Sequence, residues 1–531
     1  MIAGAPPRLA RRDAIALLAL FTAAALLSER VWHERDPFPD LHDEFVYVFQ
    51  AKLVLQGRLA APAPPLPEFF EAAHLLVTPR FTSKYLPGHA VALAPFVAVG
   101  APWLWPCVAL LGACWALFFA LRWSGLPTAA AAGGGLLFLS SVPALRVWMT
   151  LLSHSTAGLC VAIALAAAAR LRITKSPSAA AALAGAAAYA VWTRPFVGVA
   201  LVLSGGALVL IARNGRALIA FAGVLALGAA VVLASSRAMT GNLFETPWAQ
   251  YARQYMPFDG PGIGPIAPRR PERDLPPHLA RLADVFYASR ARHTLAHLPA
   301  AAWIRLQHLA NHAPSALLLP LAGLAPFAGA AALLPGLFVA LFFFLQLSFH
   351  SNQPFYLVEA WPALSLLIAL GAHRLWVLAV DGRLWWPRAS IPLGAPAISD
   401  HAAPAPARPA RIAVGAALAV VAVFAVVGSA RAMASMHGLS AGGGRLYGIV
   451  EGLLEPVRDA RGLVFLRYPA DWDISLDFTY NEPDLDRAPA IRALDLGARN
   501  DELRRRYPNR PAFLLDLGTG TLTKLPALGA P

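Results

Sequence analysis

Long apolar runs alternate with short connections that carry arginine over most of this chain. A helix needs roughly 20 apolar residues to cross a hydrocarbon core about 30 Å thick. About eleven runs, give or take two, approach that length and predict membrane spans at 14–31, 102–121, 127–146, 152–170, 178–193, 196–212, 217–235, 315–330, 331–349, 355–378 and 411–431. A shorter run at 89–99 is expected to be re-entrant or the end of a helix. The pattern predicts an all-α polytopic membrane protein.

The positions of the arginines predict the orientation of these spans. With a cytoplasmic amino terminus, alternate connections inside the cell carry the basic residues, as the positive-inside rule requires. These residues are Arg122, Arg170, Arg172, Lys175, Arg213, Arg216 and the arginines of the Pro-rich linker 381–410. The first span lacks a convincing cleavage site, which favours an uncleaved anchor over a secretory signal. The same count puts the loops 32–87 and 237–314 and the tail from 432 outside.

Two outer regions have sequences typical of folded structure. Residues 237–314 contain a Pro/Gly-rich run followed by an amphipathic stretch at about 280–310, which predicts a helix lying on the membrane. In the tail, the apolar runs GLVFLRY and AFLLDLG flank the helix-like DELRRRY and predict a small α/β appendage. We therefore divide the chain into a transmembrane domain, 1–435, and an extracytoplasmic domain, 436–531.

Composition excludes several classes of protein. Hydrophobic residues make up 57% of the chain and charged residues only 14%, far fewer than in a soluble globular domain. The net charge of +14 is nearly all arginine and lies beside apolar runs, which indicates anionic lipid headgroups rather than nucleic acid as the partner. The three cysteines lie within apolar runs, and no metal-ligand spacing or phosphate-binding glycine loop occurs. The sequence therefore predicts neither a metal nor a cofactor.

The first candidate for chemistry is the acidic pair Asp43-Glu44, which follows the first span and opens a segment expected to lie on the membrane as a helix. An apolar stripe of Phe45, Val48, Phe49 and Leu53 is expected to face lipid and hold the pair at membrane level. Carboxylates are costly there unless they have a function. The structural alternative is that Asp43 caps the helix, and both roles are compatible.

A second candidate is the segment SKYLPGHA, which carries Lys84, Tyr85 and His89. A lysine before an apolar helix is ordinarily an anchor that extends to the headgroups, but it can also hold a lipid phosphate. Further polar residues occur at predicted outer ends of helices, and they are His154, Arg194, His350 and Tyr356. For each of these residues the alternative is an ordinary structural role. A functional role is favoured because all of them are predicted to lie on the same side of the membrane.

Together, the acidic pair, the K-Y-x-P-G-H segment, an R-P between spans and a T-G-N-x-F loop resemble the GT-C class of membrane glycosyltransferases. The sequence is most similar to the branch of protein O-mannosyltransferases and the lipid A aminoarabinose transferase, over roughly residues 10–380. The resemblance implies an inverting enzyme of the bacterial inner membrane that uses a polyprenyl-phosphate sugar at the periplasmic face. It also implies that Asp43 is the catalytic base and that Lys84 holds phosphate, although Leu86 departs from the family's usual K-P-P-type sequence.

That chemistry needs few groups. A polyprenyl phosphate is a good anionic leaving group, so it requires positive charge rather than a proton donor. One base with Lys84 and Arg194 therefore suffices, and Glu44 would orient the acceptor or support Asp43. The acceptor is left open as a glycan, a lipid or a protein. Two alternatives remain: a transporter or flippase of lipid-linked sugars, and a non-catalytic envelope assembly protein. The transporter is disfavoured because the charges collect on one face rather than at the midplane of paired halves.

Overall fold

The structure is a computed structural model that describes residues 9–33, 39, 41–267, 269–314, 316–380, 412 and 442–528. Most of these residues are helical, and two small β-sheets accompany the helices. The first ten helices are α1 (Arg11–His33), α2 (His42–Leu55), α3 (Gly88–Ala98), α4 (Leu104–Trp123), α5 (Thr128–Leu139), α6 (Val142–Trp148), α7 (His154–Thr174), α8 (Pro177–Thr193), α9 (Pro195–Ala212) and α10 (Gly215–Thr240). The later helices are α11 (Pro247–Tyr255), α12 (Pro277–Ala291), α13 (Leu298–Asn311), α14 (Leu319–Leu324), α15 (Leu333–Leu347), α16 (Trp361–Val380), α17 (Gly442–Leu453), α18 (Glu455–Asp459) and α19 (Asn500–Arg506).

Within the described residues, seven helices are long and apolar enough to cross a membrane. They are α1, α4, α7, α9, α10 and the segments Leu319–Leu347 and Pro354–Leu378. Helices α5 and α6 meet at an angle of 69° and would make an eighth span if the bent pair crosses as one. The chain is therefore a multi-pass membrane protein.

The predicted count of eleven spans is not confirmed. The runs at 315–330 and 331–349 fall within the single apolar segment Leu319–Leu347, which is interrupted where Gly329 has a non-helical φ of 83°. The run at 178–193 forms the 17-residue helix α8, and the run at 89–99 forms α3. The predicted span at 411–431 lies outside the described residues, apart from residue 412.

Small residues bring the membrane helices together. A Cβ atom at Gly158 of α7 would lie only 2.1 Å from the ring of the buried Trp148, so only glycine allows this contact. Small side chains are typical of interfaces between membrane helices, where association depends on close packing rather than on the hydrophobic effect. The packed bundle fixes the start of α7, the end of α8 and the start of α9 relative to one another.

The two sheets lie in the loop 32–87 and in the carboxyl-terminal unit. The first has the order β1 (Ala61–Pro62), β3 (Arg80–Ser83), β2 (Leu75–Leu76), and all its pairs are antiparallel. The second has the order β5 (Ile491–Leu494), β4 (Leu463–Arg467), β6 (Ala512–Asp516), β7 (Thr521–Lys524). Strand β4 is parallel to β5 and β6, and β7 is antiparallel to β6. The apolar runs of the tail thus form the two central strands.

Helix α2 is covered by protein, so the prediction that its apolar stripe faces lipid is wrong. Phe49 and Leu53 are buried in a hydrophobic core that also contains Leu463 and Ile491 of the carboxyl-terminal sheet. The ring of Phe45 stacks on Tyr480 at a centroid distance of 5.0 Å. The stripe is apolar because it packs on a sheet more than 400 residues away in the chain, a partner that local periodicity does not reveal.

The expected amphipathic stretch at 280–310 forms two helices, α12 and α13, separated by a break at 292–297. Leu279 and Leu282 of α12 are buried in a cluster with Tyr251 and Tyr255 of α11. The apolar face of α12 therefore packs on protein, where it forms part of a cavity wall.

Candidate active site

A cavity of about 490 Å³ lies where the ends of several membrane helices meet the loops and the carboxyl-terminal unit. Its charged and imidazole-bearing lining residues are His42, Asp43, His74, Lys84, His154, Arg194 and Asp259. Aromatic and aliphatic residues line another part, and these include Phe196, Val197, Phe349 and Phe355. A concave site with an apolar part and a few convergent charges is typical of a pocket for an amphipathic ligand.

Asp43 lies in the first turn of α2, and its carboxylate reaches the cavity with its side chain 23% exposed. The hydroxyl of Tyr85 donates a hydrogen bond to its Oδ1 atom. His42 Nδ1 lies 3.1 Å from Oδ2, and His74 Nε2 lies 3.6 Å from Oδ1. These contacts hold the carboxylate in place on a rigid helix.

The electrostatic surroundings keep Asp43 ionised. Burial alone would raise its pKa, but the charges of His74, His42 and Lys84 lower that pKa well below the ordinary aspartate value. Burial and the adjacent Lys84 in turn lower the pKa of His74 well below 6.5, and the Asp43 carboxylate opposes that shift. An ionised carboxylate in a partly enclosed site has the properties of a general base.

The hairpin of β2 and β3 brings Lys84 beside His74. Leu75 pairs with Ser83, and the backbone N–H of Lys84 donates to the carbonyl of His74 at 3.0 Å. The Lys84 Nζ atom lies 5.1 Å from the ring centroids of Tyr85 and Tyr251. Burial lowers the pKa of Lys84, and the Asp259 and Asp43 carboxylates counteract this. No described carboxylate forms an ion pair with Lys84, so its ammonium remains available to an anionic ligand.

Gly88 of the same segment allows α3 to approach the end of α8. A Cβ atom there would lie 2.7 Å from the carbonyl oxygen of Trp192, and Tyr189 donates to the Gly88 carbonyl at 2.8 Å. The contact lies two residues before Arg194, which caps α8 and precedes α9. The glycine therefore helps to position Lys84 and Arg194 in the lining of one cavity.

Arg194 is held by a buried acidic residue. Its Nε atom lies 2.7 Å from Glu359 Oε1, which also lies 2.7 Å from His154 Nδ1. Arg194 further donates to Ser153 Oγ at 3.2 Å, and Tyr47 donates to the same hydroxyl at 3.0 Å. Glu359 thus offsets the cost of placing a guanidinium at the end of membrane helices, while the rest of the group lines the cavity.

The other residues singled out in the sequence differ in their positions. Tyr85, His154 and Tyr356 line the cavity with Asp43, Lys84 and Arg194. The buried His350 lies behind the wall, 3.3 Å from Asp259 through Nε2. His89 is fully buried, and its ring nitrogens contact Thr156 Oγ1 at 2.7 Å and the Leu151 carbonyl at 2.8 Å.

Glu44 is also fully buried and does not line the cavity. Its Oε1 atom accepts from the backbone N–H of Leu151 at 2.6 Å, and Oε2 accepts from that of Leu41 at 3.3 Å. The capping contact expected of Asp43 is thus made by Glu44, and Asp43 is left free to face the cavity. Glu44 fixes the start of α2 to the loop before α7.

Three of the charged and imidazole-bearing lining residues were missed from the sequence: His42, His74 and Asp259. His42 adjoins Asp43 in sequence, but His74 lies in a short hairpin and Asp259 in the Pro/Gly-rich run, where no periodicity marks them. Asp259 is hydrogen-bonded by Trp248 Nε1 at 3.3 Å, and its charge faces Lys84. Only the folded chain brings these groups together.

The same cluster could hold a metal ion, which the sequence did not indicate. Ligand atoms of His42, Asp43 and His74 all lie within 4.8 Å of one another, in the part of the chain that the structure describes. Two imidazoles and a carboxylate are a donor set that suits zinc. The hydrogen bond from Tyr85 already occupies Oδ1 of Asp43 and competes with such a ligand role.

Comparison with known proteins gives the fold. No family model and no curated protein sequence matches the chain. The crystal structure of ArnT from Cupriavidus metallidurans bound to undecaprenyl phosphate aligns with a TM-score of 0.51 and 15% identity, over 94% of this chain and 90% of that one. The apo form aligns with a TM-score of 0.50 and 15% identity, over 95% and 93%. The resemblance seen in the motifs is thus confirmed at the level of the fold: the chain has the GT-C-type architecture of ArnT.

Proposed function

We propose that this protein is an inverting glycosyltransferase that moves a sugar from a polyprenyl-phosphate donor to an acceptor at the outer face of the bacterial inner membrane. The observation that carries the proposal is one cavity lined by an ionised carboxylate, Asp43, two cations, Lys84 and Arg194, and an apolar part. These are the groups that deprotonation of an acceptor and departure of a lipid phosphate require.

In the proposed reaction, Asp43 removes the proton from the acceptor hydroxyl as its oxygen attacks C1 of the donor sugar. The new bond between C1 and the acceptor oxygen forms on the face opposite the phosphate, which inverts the configuration at C1. The bond between C1 and the phosphate oxygen breaks, and the polyprenyl phosphate leaves with that electron pair. Lys84 and Arg194 stabilise the charge that develops on the phosphate.

The remaining residues are proposed to position these groups. Tyr85 donates to Asp43, and burial together with that carboxylate raises the pKa of the phenol well above 10, so it stays a neutral donor. His154 aligns Arg194 through their shared acidic partner. Tyr356 lines the same cavity, while His350, Glu44 and His89 act from behind its wall.

The apolar part of the cavity supports a lipid donor. Phe196 and Val197 belong to the first turn of α9, and Phe349 follows the end of α15, so all three lie at the ends of candidate membrane spans. A prenyl chain in the bilayer can reach the cavity there with its phosphate towards Arg194. One of the two ArnT structures with this fold contains undecaprenyl phosphate, which favours the same class of ligand here.

The test is a transfer assay with the full-length protein in detergent. Undecaprenyl-phosphate-linked hexoses and pentoses, each radiolabelled in the sugar, would be supplied one at a time. Lipid and glycan fractions of the bacterial envelope would serve as acceptors. We expect label to appear in one acceptor fraction with release of an equal amount of undecaprenyl phosphate. If no donor in the panel is consumed while the protein binds undecaprenyl phosphate, the transferase proposal is wrong.

A further inference from the structure

We propose that residues 469–476, here called the Trp472 loop, form the acceptor-side wall of the active site and help to select the acceptor. The inference rests on the proposed transferase function and goes beyond it by giving the carboxyl-terminal unit a role in the reaction. Ile474 and Ser475 would contact a saccharide that bears the accepting hydroxyl.

The first observation is the position of the loop. Ile474 and Ser475 line the same cavity as Asp43 and Lys84, although more than 380 residues separate the two regions in sequence. Ile474 also packs against the apolar cluster that contains Leu282. The carboxyl-terminal unit is thus part of the pocket wall and not merely attached to the outer surface.

The second observation is that the loop is fixed in place. Arg281 of α12 donates to the carbonyls of Ala470 at 2.6 Å and Trp472 at 3.0 Å. Trp472 Nε1 donates to the Leu476 carbonyl at 2.9 Å, and the Ser475 N–H donates to Asp473 Oδ1 at 2.9 Å. A loop closed on itself and anchored to a wall helix presents its side chains in a fixed geometry, which selection requires.

The third observation ties the loop to the proposed base. Asp477, one residue beyond the loop, is buried, and its Oδ2 atom accepts from the backbone N–H of Ala73 at 2.7 Å. Ala73 precedes His74, whose imidazole lies 3.6 Å from the Asp43 carboxylate. Tyr480 also donates to the Ala73 carbonyl at 3.0 Å. The end of the loop and the segment that supports Asp43 are therefore held together directly.

We assign the Trp472 loop to the acceptor rather than to the donor because the two substrates are expected to enter the cavity from different ends. In the proposed function the donor's prenyl chain enters from the ends of α9 and α15, because these helices belong to candidate membrane spans. The carboxyl-terminal unit contains no candidate span within its described residues 442–528, and it adds its loop to the same wall as α12. In an inverting reaction the acceptor approaches the face of C1 opposite the phosphate, so it must occupy the end away from the lipid.

The chemistry of the loop fits a sugar. Ile474 offers an apolar surface that suits the C–H face of a pyranose or furanose ring. The Ser475 hydroxyl donates to Asp473 Oδ1, which leaves the lone pairs of its oxygen to accept a hydrogen bond from a sugar hydroxyl. A site with one apolar side chain and a few oriented polar groups is typical of small-molecule recognition.

The test separates acceptor use from donor binding in the full-length protein. Ile474→Trp fills the proposed acceptor end, and Ser475→Ala removes the polar contact with little change in volume. Ile449→Trp is the matched control, because Ile449 is 54% exposed on α17 and does not line the cavity. Each variant would be titrated with the envelope fraction that accepts label from the wild type, and the Kd for undecaprenyl phosphate would be measured separately.

We expect the acceptor concentration at half-maximal rate to rise about tenfold or more in both loop variants, as for the loss of a specific substrate contact. The Kd for undecaprenyl phosphate should be unchanged, and the control should behave like the wild type. Equal acceptor dependence in all four proteins, or a matching loss of undecaprenyl phosphate binding in the loop variants, would overturn the proposal. Failure of the transferase function itself is distinct, since the wild type would then transfer nothing.

Discussion

Replacing Asp43 by Asn removes the proposed base while leaving most of its contacts intact. The amide oxygen can still accept the hydrogen bond from Tyr85, and the side chain keeps its size beside His42 and His74. What is lost is the negative charge, which the lowered pKa of Asp43 maintains at neutral pH. The substitution therefore tests proton removal more than packing.

The expected loss follows from that role. A general base contributes about 10²–10⁴-fold, which corresponds to roughly 3–5 kcal/mol of transition-state stabilisation. Asp259 is the other carboxylate that lines the cavity among the described residues. It is hydrogen-bonded to Trp248 and His350 at 3.3 Å each and is poorly placed to substitute. Transfer of radiolabelled sugar by the Asp43→Asn variant should therefore fall by about 10²–10⁴-fold.

Binding of the donor lipid should survive the same substitution. Lys84 loses a carboxylate neighbour, so its ammonium is freer to pair with phosphate, and the Kd for undecaprenyl phosphate should stay equal or decrease. Asp459→Asn, at the exposed end of α18, provides the matched control. Near-normal turnover by Asp43→Asn, with lipid binding and thermal stability intact, would refute the assignment of the base.

Three further outcomes are expected. Because Lys84 has a pKa below 10.5, its charge and the binding of undecaprenyl phosphate should be lost as pH rises through that lowered value. Lys84→Arg should move the alkaline limit upward in a fluorescence titration, and an unchanged limit would exclude the lysine. Treatment with EDTA should leave transfer unchanged, since the proposed reaction needs no metal. If EDTA instead abolishes transfer, Zn²⁺ restores it and the His74→Ala variant lacks it, the cluster of His42, Asp43 and His74 is a metal site. Asp477→Ala leaves the buried N–H of Ala73 without its acceptor, and should destabilise the carboxyl-terminal unit by about 1–3 kcal/mol in thermal unfolding.

Neighbouring residues in a motif need not share a site. The sequence grouped Asp43 with Glu44 and Lys84 with His89, but only the first member of each pair lines the cavity. Successive side chains on a helix point about 100° apart, so Asp43 faces the cavity while Glu44 faces the backbone of Leu151. Adjacency in sequence therefore predicted the region of the site better than the individual groups.

The sequence by itself determined the class of the protein, because apolar run length reports directly on the thickness of the bilayer. It also predicted that the chemistry lies at the ends of the membrane helices, since polar residues are costly at membrane depth. The strands of the tail were likewise readable from their apolar runs.

Only the tertiary structure decided which polar groups meet. His74 comes to lie beside Lys84 through the pairing of two short strands, Asp259 reaches the cavity from an irregular loop, and Ile474 reaches it from the carboxyl-terminal unit. The apolar face of α2 looked like a lipid contact because local periodicity records that a face is buried and not what buries it. Contacts between distant segments depend on how the whole chain packs, and for that reason the pocket became visible only in the folded molecule.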